Sequence, residues 1–245
     1  MKIKLTLCYD GTAYAGWQIQ ENALTVQQVL EKALQSLTGE NIKTVASGRT
    51  DAGVHALGQV VSFETESTIP PIKFYKALNT YLPADIKAVK SEQVFDGFDA
   101  RKSAKKKTYE YYIYLSETEC PLKEKFAVMV SPKLDVSLMK KAGKILCGMH
   151  DFKCMCSTGS SVKTTVRTVY SVKIKKTENN LKIAVTGNGF LYNMVRIMVG
   201  TLVKIGLKEM TLKQLKLMLK TGDRELGGKT FPAKGLCLKS VEYEN

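Results

Sequence analysis

The chain has 245 residues, 44% hydrophobic and 24% charged, with 37 Lys and Arg against 23 Asp and Glu for a formal net charge of +14. That length suits one large domain or two small ones, and the composition is that of a globular protein that folds without staples. No apolar run approaches the roughly 18 residues a bilayer helix needs, and residues 1–12 turn polar before a signal-peptide core forms, so neither a membrane protein nor a secreted one is expected.

Residues 2–9 (KIKLTLCY) alternate polar and apolar, the period of a half-buried strand, and Asp10-Gly11 ends it. Thr25 with Gln28 three residues on is a capping-box pattern. Val26, Leu30, Ala33, Leu34 and Leu37 then recur at helical spacing until Gly39, which predicts a helix over 25–38. Strands are expected over 42–47 and 58–65, either side of a glycine-punctuated loop. Pro70-Pro71 opens a helix to about Tyr81, and 85–94 reads as a strand. After Lys105, Lys106 and Lys107 a similar order begins again: strand 107–115, helix 135–147, strands 166–176 and 181–187, helices 190–206 and 211–220, strand 235–243. This predicts an α+β protein of two similar halves, 1–104 and 105–245, each an antiparallel sheet with helices on one face. Set side by side, the uncovered faces would form a central basic cleft, the kind of surface on which an RNA lies.

A basic excess of this size favours a polyanionic partner, because neutralising phosphates releases condensed counterions. Only five of the basic residues are Arg: Arg49, Arg101, Arg167, Arg196 and Arg224. Arg is used where a planar fork must pair or stack, so each of the five is a candidate. The six cysteines, Cys8, Cys120, Cys147, Cys154, Cys156 and Cys237, are scattered as reduced thiols of a cytoplasmic protein would be. The close pair Cys154 and Cys156 lacks the spacer of a zinc knuckle, so no metal is expected.

Four segments carry chemistry. GRTDAGVHA (48–56) sets Asp51 between Arg49 and two glycines, a loop that can hold a substrate, although on these residues alone a turn whose Asp caps its own backbone is the favoured account. In KKKTYEYYIYL (105–115), Tyr109 and Tyr111 share one strand face while Tyr112 and Tyr114 share the other; aromatics beside basic residues stack on bases, and tyrosines are also simply good strand formers. GNGFLYNMVRIMVGTL (187–202) is an apolar helix interrupted by Arg196, which either snorkels or pairs with a carboxylate, Asp51 being a candidate. FPAKGLCL (231–238) is a turn into the last strand.

Together with YDGTAYAGWQIQ (9–20), FDAR (98–101) and HDF (150–152), these segments occur in the order of the tRNA pseudouridine synthase A family, which the chain resembles over essentially its full length. The resemblance implies the pseudouridine synthase fold and isomerisation of uridine to pseudouridine at positions 38, 39 and 40 in the tRNA anticodon stem-loop. It implies no cofactor and no metal, and a cytoplasmic homodimer in which one tRNA touches both protomers. Asp51 matches the catalytic aspartate, which attacks the uridine as the glycosidic bond breaks; Arg196 matches the buried arginine that keeps that carboxylate ionised. Tyr109 matches the active-site tyrosine that stacks on the base and takes part in loss of the carbon 5 proton, and Leu236 an apolar lining of the base pocket. Arg49 matches the arginine that helps extrude the uridine, since the glycosidic carbon is inaccessible inside a stem.

Lys105, Lys106 and Lys107, and Lys173, Lys175 and Lys176, are candidates to face phosphates, though a charge run is commonly just a solvated face. His55 and His150 read as structural, since the chemistry lacks a step that needs a base near neutral pH. Where the family has a further Phe after HDF, this chain has Cys154, Met155 and Cys156. Two other readings stand beside the isomerase: an RNA-binding module without turnover, and a metal-dependent nuclease, against which the lack of clustered acids and histidines near Asp51 counts.

Overall fold

The computed structural model describes residues 1–159 and 162–244. The chain divides into two compact units, one of Met1–Lys105 with the chain from Cys237 on, the other of Lys106–Leu236. The last strand thus belongs with the N-terminal unit, whereas the sequence order runs the second half on to residue 245.

In the first unit β1 (Lys2–Tyr9) lies between β3 (His55–Glu64) and β4 (Ile86–Val94), antiparallel to both. Its burial alternates as its sequence does, with Ile3, Leu5, Leu7 and Tyr9 in the core. The helix α1 (Val26–Thr38) starts on Thr25, whose side chain accepts from the Gln28 N–H, and stops at Gly39 in the left-handed region. Val26, Leu30, Ala33 and Leu34 are its buried apolar face, each of the larger ones contributing about 1.5–3 kcal/mol by area. Glu31 is buried among them and accepts from the Thr44 N–H at 2.9 Å and the Thr44 hydroxyl at 3.0 Å. A backbone donor used this way is lost to the sheet, and the expected strand over 42–47 shrinks to β2 (Val45–Ala46) beside β3.

The expected helix over 70–81 is a 3₁₀ turn, Pro71–Lys73, followed by α2 (Phe74–Leu78). It ends early because the Asn79 amide pairs with both backbone groups of Ala88 on β4, at 2.8 Å each. The strand β10 (Leu236–Tyr243) pairs with β3 in parallel, Cys237 opposite His55 and Leu238 opposite Ala56. This corrects the expectation of a purely antiparallel sheet: no hairpin links the two strands, so nothing local dictates their direction. It also explains why β3 begins three residues before the expected position. The second face of this sheet carries a small cluster of Val60, Phe98 and Ala100 with Val94, Val241 and Tyr243 packed on it. Phe98 of the FDAR segment meets Tyr243 at 5.1 Å between ring centroids, and Ala100 O accepts from the Tyr243 hydroxyl at 2.8 Å.

In the second unit β5 (Ala104–Leu115), β9 (Asn180–Gly187), β8 (Val166–Thr177) and β7 (Gly148–Asp151) follow one another antiparallel, and β6 (Val128–Val130) pairs with β5 in parallel. Sequence periodicity missed β6 and β7, which at three and four residues are too short to show a period. One face sets Tyr109, Tyr111 and Ile113 beside Val185, Ile183 and Leu181, and α3 (Val136–Leu146) packs there with Gly143 against Val172. Thr108, Glu110 and Tyr112 lie on the opposite face, beside Thr186, Ala184 and Lys182 of β9 and Ser171, Lys173 and Lys175 of β8. The helix α4 (Met194–Gly206) begins four residues later than expected because Asn193 takes φ 59°, which no helix can continue through. In α5 (Leu212–Thr221), Thr211 and Gln214 close a reciprocal capping box.

Candidate active site

In the first unit Asp51 sits half-buried on the loop between β2 and β3, with Arg49 exposed on the same loop. Three anchors fix the entry to the loop. Ser47 N–H donates to Val60 O at 2.7 Å, the Ser47 hydroxyl donates to Gln59 Oε1 at 2.7 Å, and Gln59 Nε2 donates to Gly48 O at 2.8 Å. The exit is held by His55, buried, whose Nδ1 accepts from the Gly11 N–H at 3.1 Å and lies 3.2 Å from Asp10 Oδ1. At its centre, Thr50 Oγ1 lies 2.8 Å from the Tyr9 hydroxyl, Trp17 N–H donates to Thr50 O at 3.0 Å, and Gly53 N–H donates to Tyr14 O at 3.2 Å. Burial pushes the Tyr9 phenol far above its ordinary range, so it stays neutral in this contact.

The YDGTAYAGWQIQ segment therefore clamps the Asp51 loop along its backbone, a role the sequence reading gave it no reason to have. Gly16 is at φ +87°, and a Cβ on it would lie 2.6 Å from Thr50 O and 3.1 Å from Ala52 N. Gly16→Ala is expected to cost about 1–2 kcal/mol for the left-handed backbone alone. Displacement of the loop adds to this, and at about 2–4 °C per kcal/mol the melting temperature should fall by at least several degrees. Turnover at saturating substrate should fall with it. Gly39→Ala serves as the control: its φ is +77° and nothing lies within 4 Å of the added Cβ. Thermal melts and rates on both variants check this; an equal fall in rate for the two would dismiss the clamp.

In the second unit Arg196 and the 231–236 turn are bound to each other. Arg196 Nε donates to Phe231 O at 2.7 Å, and the Phe231 N–H donates to Arg196 O at 3.2 Å. Tyr111 supports the same turn: its hydroxyl donates to Pro232 O at 2.6 Å, and a Cβ on Gly235 would lie 2.6 Å from its ring. Burial raises the Tyr111 phenol far above its ordinary range, against the pull of the Arg196 charge. Leu236 is buried at the end of this turn. Tyr109 is buried at 8% exposure with Phe190 edge-on at 5.3 Å, between ring planes 90° apart. The structure thus groups Arg49 with Asp51 in the first unit and Arg196 with the Leu236 turn in the second.

Other sequence candidates have plainer settings. His150 Nε2 lies 3.0 Å from Cys147 O, and its ring meets Phe152 edge-on. Just after the HDF segment, Cys154 and Met155 are fully buried, and burial raises the Cys154 thiol to about 11. Among the described residues no group of three or more His, Cys, Asp or Glu is placed to hold a metal ion. Lys105 pairs with Glu244 at 3.1 Å, the Lys106 ammonium lies 5.9 Å from the exposed Tyr170 ring, and Lys173, Lys175 and Lys176 are exposed.

The family model described as tRNA pseudouridine synthase matches residues 7–103 and 142–244. The chain belongs to the tRNA pseudouridine synthase family. A relative from Clostridium acetobutylicum named tRNA pseudouridine synthase A is 45% identical over 241 residues, 98% of this chain and 99% of the relative. Proteins of the same name from Shouchella clausii and Bacillus subtilis are 47% and 43% identical, covering 97% and 100% of this chain and 91% and 100% of theirs. A chain of a Cbf5–Nop10–Gar1 complex superposes at a TM-score of 0.38 and 13% identity, over 82% of this chain and 45% of that one, too distant to bear on the fold. The segments matched to the family model contain Arg49, Asp51, Arg196 and Leu236, while Tyr109 lies between them.

Proposed function

We propose that the chain isomerises uridine to pseudouridine in tRNA, at positions 38, 39 and 40 of the anticodon stem-loop, with Asp51 as nucleophile on a uridine turned out of the stack. The observation that carries this is family membership, with a relative matched over the full length, and Asp51 on a loop whose backbone is anchored at Gly48, Thr50 and Gly53. The reaction breaks the bond from ribose to N1 and forms one to carbon 5; N1 gains a proton and carbon 5 loses one. No electrons change hands, so the step calls for no redox cofactor; the reading also takes the reaction as metal-free, which the chelator arm of the test below checks.

In this reading Asp51 attacks as the carboxylate and Arg196 keeps it in that form, as an opposite charge within about 4–6 Å does. Tyr109 stacks on the detached base and serves the departing carbon 5 proton. Leu236 lines the base pocket, and Arg49 fills the gap left by the extruded uridine, offsetting part of an unstacking cost of a few kcal/mol. The lysine excess supplies phosphate contacts. The protein works in the cytoplasm as a homodimer, with tRNA on its basic surface.

The test is tritium release from tRNA transcripts carrying [5-³H]uridine, with and without a chelator and with no cofactor added. Multiple turnovers that are indifferent to the chelator are expected. Tight binding without release would leave a non-catalytic RNA-binding protein, and chelator-sensitive strand cleavage would leave a nuclease.

A further inference from the structure

Asn193 occupies the N-terminal cap position of α4 but makes no capping bond with its side chain. Its amide is used sideways. Oδ1 accepts from Arg196 Nη1 at 2.7 Å, and Nδ2 donates to the Ser157 hydroxyl at 3.0 Å. The backbone there is left-handed, at φ 59° and ψ 6°, a conformation that Asn tolerates better than most side chains, and the helix begins directly after it, with Arg196 in its first turn. With Nη1 on Asn193 and Nε on Phe231 O, two neutral acceptors from different parts of the chain hold the guanidinium on two sides. A planar group fixed at two of its nitrogens has its plane and its direction set.

We propose that Asn193 is a positioning residue for Arg196: it fixes the plane and direction of the guanidinium, and Ser157 holds the amide in the required orientation. This rests on the reading of Arg196 as the partner of Asp51. Neutral acceptors suit the task. A carboxylate at position 193 would satisfy the arginine locally and weaken its hold on any second anion, whereas an amide oxygen orients the charge without neutralising it. The left-handed backbone is part of the device, since it turns the side chain away from the helix terminus it would otherwise cap.

Asn193→Gly separates the amide from the backbone, because Gly adopts φ 59° at no steric cost. In single-turnover and steady-state tritium release from [5-³H]uridine tRNA, kcat is expected to fall about 10- to 100-fold, the scale of a small misplacement of a catalytic group. KM and the melting temperature should stay close to those of the native chain. Arg196→Lys, which keeps the charge and loses the fork, should be slower still, and adding Asn193→Gly to it should change the rate less than twofold. A native rate in Asn193→Gly overturns the proposal, and so does an equal loss in both backgrounds, which would mean that Asn193 acts independently of Arg196. A native rate in Arg196→Lys would instead remove the reading of Arg196 on which the proposal rests.

Discussion

Asp51→Ala is expected to stop tritium release from carbon 5 of tRNA uridine, with a loss on the order of 10⁴–10⁶, the scale seen when a nucleophile is deleted from an enzyme. Binding should survive. The chain carries a net charge of +14, and removing one anion from it cannot weaken its attraction to phosphates. The loop should survive as well, because Thr50 O, Gly48 O and the Gly53 N–H, together with the Thr50 hydroxyl, anchor it to Trp17, Gln59, Tyr14 and Tyr9. Three measurements make the test: release under single-turnover conditions, tRNA affinity by filter retention, and a thermal melt. Residual release above a thousandth of the native rate with intact folding would take the nucleophile role from Asp51.

Tyr109→Phe is expected to lower release by about 10²–10⁴, the range for a positioned proton-transfer group. The substitution keeps the ring, its place on β5 opposite Val185 and its edge contact with Phe190, so packing and stacking on a base are conserved. Affinity for tRNA should therefore change by less than about threefold and the melting temperature by no more than a few degrees. The separation of effects is what matters. A variant that turns over at the native rate would leave Tyr109 as a stacking platform only, and one that fails to bind would mean that the hydroxyl contacts the RNA before any chemistry. Tyr111→Phe offers a contrast: its hydroxyl donates to Pro232 O, so its loss should loosen the 231–236 turn and lower stability.

Much of the local structure was legible because it is written in short-range patterns. β1 shows its period of two in KIKLTLCY, and α1 shows its capping Thr25, its apolar stripe and its terminal Gly39. The boundaries that moved did so for tertiary reasons. The expected strand over 42–47 lost its first residues to Glu31, a carboxylate eleven positions and more away in sequence; β3 gained residues from a partner strand beginning at Leu236; α4 waited for Asn193. The single sheet direction expected for each half failed at β10 on β3 and at β6 on β5, where no tight turn joins the strands.

The candidate site divides in the same way. Motif residues such as Asp51, Arg196 and Arg49 stand out from sequence because their chemistry is unusual for their surroundings: a carboxylate in a glycine-rich loop, a guanidinium in an apolar helix. What supports them does not stand out, since Gly16, Trp17, Gln59, Tyr111 and Asn193 are ordinary residue types whose roles consist of where their backbones and polar tips end up. The sequence by itself determined the element types, the basic character and the family, because composition, periodicity and motif order are properties of the chain read along its length. Only the tertiary structure decided that the 9–17 segment clamps the Asp51 loop and that Ser157 and Phe231 are bonded to Asn193 and Arg196, because hydrogen bonds between residues tens of positions apart depend on close approach in space, which no one-dimensional pattern encodes.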